Sequence, residues 1–383
     1  MHNDTRTKES TRYPFLRRYF SFHIIPKNDT MKRNILIISI IILCSITAMA
    51  QPQQLIAVDH FAGGSEFFTR LDSAIVHAAN KDNIYLPGIS LSIGSQIINK
   101  RVQIYGSGIN PDSALTSGRT ILFGNLIFVT GADSGFIQGV TIDGNISFGT
   151  DAGNTNVGYF SISRCMVNNL NLSYAINAST SSNILVRECI IHYTVDGGYS
   201  HSVFNNNVFE QVLRDFNGGL FNNNLFLTAS RALENFVYNS TFSNNIFAGN
   251  CVASNSSTGN NFFNNLFKDG FLQFFGNNGC EANYSPNGNG SIAGNIENVA
   301  ANLIFQNQSG NTFAFQQNYH LKPTSPGINA GTDGTDVGIY GGPLPFKDGS
   351  LPVNPHYRMR MVSGTTNAAG QLPVHFKAAA QDH

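Results

Sequence analysis

Between residues 187 and 234 the chain gathers His192, Tyr193, Asp196, Tyr199, Glu210, Arg214, Asp215 and Arg231, in a protein of which only 12% is charged. The types matter. An imidazole or guanidinium can take part in proton transfer, paired carboxylates can divide acid and base duties, and a guanidinium can neutralise an anionic ligand. The catalytic candidates are Arg214, Arg231 and His192, and the ligand-contact candidates are Asp196, Glu210 and Tyr193. They can meet only if the chain folds back on itself at short intervals. The question therefore passes to the elements that would hold them.

Those elements announce themselves as a repeat. FNNNVF begins at 204, FNNNLF at 221, FSNNIF at 242 and FFNNLF at 262. A looser template of apolar, any, two small or polar, any, apolar also takes IQGVTI at 137, ISRCMV at 162 and VRECII at 186. Successive starts differ by 25, 24, 18, 17, 21 and 20 residues. A short constant core with a drifting period marks a solenoid whose strands are fixed and whose loops vary. Asn, Gly, Ser, Phe and Ile favour strands and tight turns over helical repeats.

In a plain strand the two terminal apolar residues of FNNNVF would face opposite ways, so the chain must turn between them. Asn tolerates the left-handed conformation such a turn needs. With coils about 4.8 Å apart, Asn lies over Asn, and the amides can form a ladder. Asn223 is expected in that ladder. Phe204, Phe221, Phe242 and Phe262 are expected to stack inside. Cys165 and Cys189 share one template position and should join the stack; Cys165, Cys189, Cys251 and Cys280 are read as buried thiols, with one disulfide as the other reading.

Counting from the template starts places His192 and Glu210 at offset six, with Asp143 and Lys268 at the same offset on distant coils. It places Asp196, Arg214 and Arg231 at offset ten. An Asp–Arg–Arg column beside a His–Glu pair is the expectation.

The ends read differently. Residues 31 to 50, MKRNILIISIIILCSITAMA, have the basic start, apolar run and small-residue end of a signal peptide cleaved after Ala50. Residues 1–30 are then an upstream extension without ordered structure, and Met31 the start. Eight Lys/Arg and three Asp/Glu lie in residues 1–50, leaving 15 basic and 20 acidic side chains. No basic patch suggests nucleic acid, and the mature chain holds no apolar run long enough to span a membrane. The expected location is secreted, periplasmic or cell-surface. SEFFTRLDSAIVHAAN (65 to 80) is expected to be a capping helix with Ser65 as N-cap and a stripe of Phe67, Leu71, Ala74, Ile75 and Ala78. That helix lies in an N-terminal segment, 51–81. Residues 342–383 form a Pro-rich tail, with a strand pair about Gly370.

Three stretches carry a resemblance: the I-x-x-C-x-V and F-x-N-N-x-F repeats, DNIYLPGISLSIGSQIINKRVQIYGSG (82 to 108), and YHLKPTSPGINAGTDGTDVGIYG (319 to 341). Together they resemble the pectin-lyase-like superfamily of bacterial β-helix proteins. The resemblance implies an all-β, right-handed parallel β-helix over 82–341 and a groove on one outer face. It also implies extracellular polysaccharide as partner, and a lyase of acidic glycans or a glycoside hydrolase as the enzyme classes. In a lyase, Arg214 or Arg231 would be base or clamp, with Asp196 and Glu210 as Ca2+ ligands. In a hydrolase, Asp196, Glu210 and Asp215 are the available carboxylates. The R-x-P-x-x-R segment of the pectate lyases and the N-x-D, D-D, G-H-G and R-x-K elements of the polygalacturonases are missing. A non-catalytic surface or adhesin-like solenoid is the alternative. Asp333 and Asp336 in GTDGTD could hold calcium or merely form a turn.

Overall fold

The computed structural model describes residues 55–114, 117–151, 153–173, 181–228, 231–249, 251–253, 257–269, 291–351, 356–362 and 365–379. Everything below concerns these residues, within the unit Gln54–His383. The expected signal peptide and Cys280 lie outside them, as do the surroundings of the Cys251 side chain.

The chain forms a parallel β-solenoid. One sheet of 12 strands runs from the N-terminal hairpin to Ile292–Ala293, and a second of 14 strands faces it across the core. The template starts fall on one line: Ile137, Ile162, Val186, Phe204, Phe221, Phe242 and Phe262 are register partners from rung to rung. An eighth copy, IAGNIE, follows, with Ile292 paired to Phe262. The pattern hid it because Glu297 stands where the template asks for an apolar residue.

Inside, two aromatic files follow. Phe204, Phe221, Phe242 and Phe262 stack with ring centroids 5.0, 4.6 and 5.0 Å apart. Phe209, Phe226, Phe247 and Phe267 stack at 4.9, 4.5 and 5.0 Å. In-register parallel strands force this near-face geometry, and each pair adds about 0.5–1.5 kcal/mol beyond its buried area.

The two asparagines of each repeat do different work. The first sits at positive φ: Asn206 at 56°, Asn223 at 55°, Asn244 at 59° and Asn264 at 52°. It continues a left-handed column that begins at Gly139 and includes Arg164 and Glu188. The second points inward and makes the ladder. Asn207 Nδ2 donates to Asn224 Oδ1, Asn224 to Asn245, Asn245 to Asn265 and Asn265 to Asn295, at 2.9–3.1 Å. Each also closes on a carbonyl of the preceding rung, as Asn224 does on Phe204 O. Asn223 is therefore not a ladder residue: its reversed backbone turns the side chain outward. Cys165 and Cys189 do continue the ladder position, with the Cys165 N–H approaching Cys189 Sγ at 3.4 Å. Both are buried free thiols, and burial pushes the Cys189 thiol up.

The residue after each ladder Asn faces outward, yet Val208, Leu225, Ile246 and Leu266 are buried. They are covered by the segment after the last rung, through Ile304, Leu321, Val337, Ile339 and Phe346. This segment is held by the left-handed column, rung by rung. Asn264 donates to Ala330 O, Asn244 to Thr332 Oγ1, Asn223 to Gly338 O, and Asn206 to Ile339 O and Gly341 O. Arg164 donates to Leu351 O while paired with buried Glu188 at 2.8 Å.

At the N-terminus the expected helix from Ser65 is corrected. Ser65–Phe68 is a strand pairing antiparallel with Ile56–Asp59, and Phe67 is 64% exposed. The helix is only Leu71–His77, with Arg70 at its N-cap and Leu71, Ala74 and Ile75 buried. Lys100 Nζ donates to the carbonyls of Ile75 and Ala78 at its C-terminal end, where a cation suits the helix dipole. At the other end, His356–Val362 and Val374–Ala379 form the expected antiparallel pair, with Gly370 at φ 75° between them.

Replacing Asn224 with Leu removes the acceptor of the Asn207 backbone N–H and of one Asn207 amide N–H in the core and should destabilise by about 1–3 kcal/mol. Asn223→Gly keeps the left-handed turn and should cost less than about 1 kcal/mol. Chemical denaturation of both variants checks the assignment; equal losses would mean that the two positions are not distinct.

Candidate functional site

The outer face of the second sheet carries the candidate residues. Its strands Ser90–Ile98, Ile121–Phe128, Thr141–Phe148 and Met166–Asn171 are long enough to present several outward positions each. Register turns these positions into columns. One runs Ser147, Asn171, Asp196, Arg214, Glu234. Asn171 donates to Ser147 Oγ at 3.2 Å, and Arg214 Nε to Asp196 Oδ2 at 3.1 Å.

The expected Asp196–Arg214–Arg231 column is thus corrected in its last member. Arg214 pairs with Glu234, whereas Arg231 pairs with Cys251 on the next rung. The coil starting at 221 spends its extra residues before strand Arg231–Tyr238 rather than after it, so equal offsets no longer mean equal positions. Charge alternates along the column instead of accumulating. Arg231 stands three residues from the Arg214 register position, apart from any Arg–Arg clamp.

Asp215, next to Arg214, is the anomaly. It is 1% exposed, lies at φ 58°, and sits in a register shift between Arg214 and Phe216. Its Oδ2 is 3.8 Å from Arg214 Nε. Neither oxygen has a hydrogen-bond partner of ordinary geometry, the Phe236 N–H making only a loose approach. Burial and then Asp196 push its carboxyl up, against the pull of Arg214.

His192 and Glu210 meet as expected, Nδ1 to Oε2 at 2.9 Å. Glu210, however, is buried and its Oε1 accepts the Phe313 N–H at 2.7 Å. The covering segment thus converts an expected ligand contact into an anchor. Within that segment the Tyr319 phenol is pushed up to about 12, by burial above all, with the Ala314 N–H opposing and Glu210 adding to it. Asp196 and Glu210, the expected Ca2+ ligands, are held in separate pairs. Among the described residues no three His, Cys, Asp or Glu side chains are placed to hold a metal ion. Asp333 Oδ1 accepts from the Thr335 N–H and hydroxyl, and Asp336 from the Asn329 N–H, the geometry of turn formers. Tyr193 is 55% exposed.

The face also holds residues that the offset count missed. Asn125 donates to Ser95 Oγ and accepts the Asn145 N–H; Asn169 donates to Asn145 Oδ1 and accepts the Thr194 N–H. Beside them Asn168 donates to Asp143 Oδ1 at 2.9 Å. The visible signal was ILFGNLIF at 121 and TIDGNISF at 141, two copies of one pattern. The glycines stack so closely that a Cβ on Gly144 would lie 2.2 Å from Gly124 O, so no other residue fits there.

No family model, no curated protein and no solved structure matches the chain. The class that the fold defines is the parallel β-solenoid. Among the described residues no helix is long and apolar enough to cross a membrane.

Glu210→Ala removes the acceptor of two bonds beneath the covering segment and should cost about 1–3 kcal/mol. Arg214→Ala removes a pair whose guanidinium is 40% exposed, and should cost about 0–1 kcal/mol. Thermal unfolding checks the order, and the reverse order would place the anchor at Arg214.

Proposed function

We propose that this chain is an exported solenoid that binds extracellular polysaccharide along the outer face of its second sheet, as a contact surface rather than as a lyase. The observation that carries this reading is the set of polar columns: the hydrogen-bonded Asp143–Asn168 and Asn125–Asn145–Asn169, and the in-register Ser147–Asn171–Asp196–Arg214–Glu234, bonded at Ser147–Asn171 and Asp196–Arg214. They repeat donors and acceptors at the rung spacing of about 4.8 Å, a periodic array suited to a periodic chain of hydroxyls. Prior fixing of the amides by their neighbours lowers the ordering cost of binding. Tyr193 offers an exposed ring beside the columns for stacking on a sugar.

The lyase reading receives less support. Arg214 is engaged by Asp196, and Glu210 is closed under Phe313, so neither stands free for proton transfer. A right-handed coil of the pectin-lyase-like kind accords with the general hand of parallel crossovers. Export accords with the basic–apolar–small pattern of residues 31 to 50.

Affinity electrophoresis of the full chain in gels holding neutral and acidic polysaccharides tests the proposal. Retardation is expected in at least one gel, and Asn169→Ala together with Arg214→Ala should weaken it about tenfold. Uronic-acid polymers incubated with the protein and calcium should show no new ultraviolet absorbance. A rise in absorbance would replace the binding reading with the lyase one, and free migration in every gel would remove both.

A further inference from the structure

Away from the columns, the covering segment forms a half-open pocket of about 260 Å³ against the loop at Asn110. Its walls are aromatic. Phe313 stacks on Tyr319 at 4.9 Å and meets Phe315 edge-on at 5.1 Å. Phe346 joins Phe313 to Tyr340, at 6.1 and 6.3 Å, and His320 stacks on Tyr340 at 3.7 Å. At the rim stands the Asp348 carboxylate, 66% exposed, accepting the Tyr340 hydroxyl and facing His320 Nε2 at 3.4 Å.

The chemistry of the ligand follows from what the lining lacks. No Lys or Arg lines the cavity. The amides are already spent: Asn110 on Asp348 O and the Asp112 N–H, Gln317 on Ser309, Asn318 on Gln306 and the His320 N–H. The Tyr319 hydroxyl accepts the Ala314 N–H and lies within reach of Thr312 O, and the Tyr340 hydroxyl is given to Asp348. An anion would find no Lys or Arg, and the His320 ring nitrogen is turned toward Asp348. A sugar would find few donors for its hydroxyl oxygens. What remains on offer is the ring surface left outside the Phe313–Tyr319 and His320–Tyr340 stacks, negative over the ring faces, and one carboxylate with lone pairs to spare.

We infer that this pocket is a site for an N-methylated ammonium group, taken up among the rings of Phe313, Phe315, Tyr340 and Phe346 and neutralised by Asp348. Such a cation asks for no hydrogen-bond donors, and it is attracted wherever it can lie over an uncovered ring face. Burial and the Asp348 carboxylate push the Tyr340 phenol up, so the ring stays a neutral wall. The site is independent of the polysaccharide face.

Titration of the full chain with choline and with its uncharged isostere 3,3-dimethylbutan-1-ol tests the inference. The chain has no Trp and 13 Tyr, so emission reports on many sites at once and calorimetry supplies the affinities. Choline should bind at least about tenfold tighter than the isostere. Asp348→Asn, a rim change that keeps an acceptor for Tyr340, should remove most of that preference while leaving the isostere unaffected. Phe315→Leu should weaken both ligands, with circular dichroism unchanged; if that variant misfolds, the Asp348 variant carries the test. Equal affinities for cation and isostere, or saturation by neither, would overturn the site. Polysaccharide retention of Asp348→Asn should match the parent chain, which separates failure here from failure of the sheet-face reading.

Discussion

A chain that must place an apolar residue inside the core, reverse direction within two residues, and place another inside has very few backbone routes. The left-handed turn at Gly139, Arg164, Glu188, Asn206, Asn223, Asn244, Asn264 and Gly294 is the route taken on successive rungs. Bulky residues enter this conformation only when surroundings over-determine it. Arg164 and Glu188 do so as a buried pair, Arg164 holding Leu351 O as well. The other members are Asn or Gly, which adopt it at little cost. From this turn follow the two phenylalanine files on its inner side and the docking column on its outer side.

The ladder of Asn207, Asn224, Asn245, Asn265 and Asn295 is the turn's complement. A buried amide left alone would be expensive, whereas each of these is closed by a neighbouring amide and a carbonyl of the preceding rung. Stacking makes the arrangement cooperative along the coil, and it also makes single removals costly. Where Cys165 and Cys189 take the position, the thiol replaces the amide and the donor to the carbonyl is weaker. The smaller apolar residues Ile137, Ile162 and Val186 accompany that part of the coil, before the phenylalanine files begin.

The outside of the molecule is divided by the segment after the last rung. On one side it buries Val208, Leu225, Ile246 and Leu266, ties up Glu210, and forms the aromatic pocket. On the other, the columns from Asn125 to Arg214 are left half-exposed. An apolar strand residue facing outward would otherwise leave a sticky stripe on the coil surface. The amides of the left-handed column give the segment its register through backbone carbonyls, so its own side chains are free to shape the cavity.

Much of this was legible in the residues. Periodicity located the rungs from Ile137 to Phe262, because strand spacing and a two-residue turn tolerate little variation. The stacked phenylalanines, the shared position of Cys165 and Cys189, and the meeting of His192 with Glu210 followed from the same count. What tertiary structure decided were matters of direction and cover. Which Asn of each pair turns inward depends on the sign of φ, and composition does not carry it. Where a coil inserts its extra residues decided that Glu234, not Arg231, follows Arg214. Strand pairing with Ile56–Asp59 overrode the helical stripe at Ser65–Phe68. The burial of Glu210 and the aromatic cavity depend on a segment more than one hundred residues downstream, and no local pattern encodes a contact that only the folded coil brings within reach.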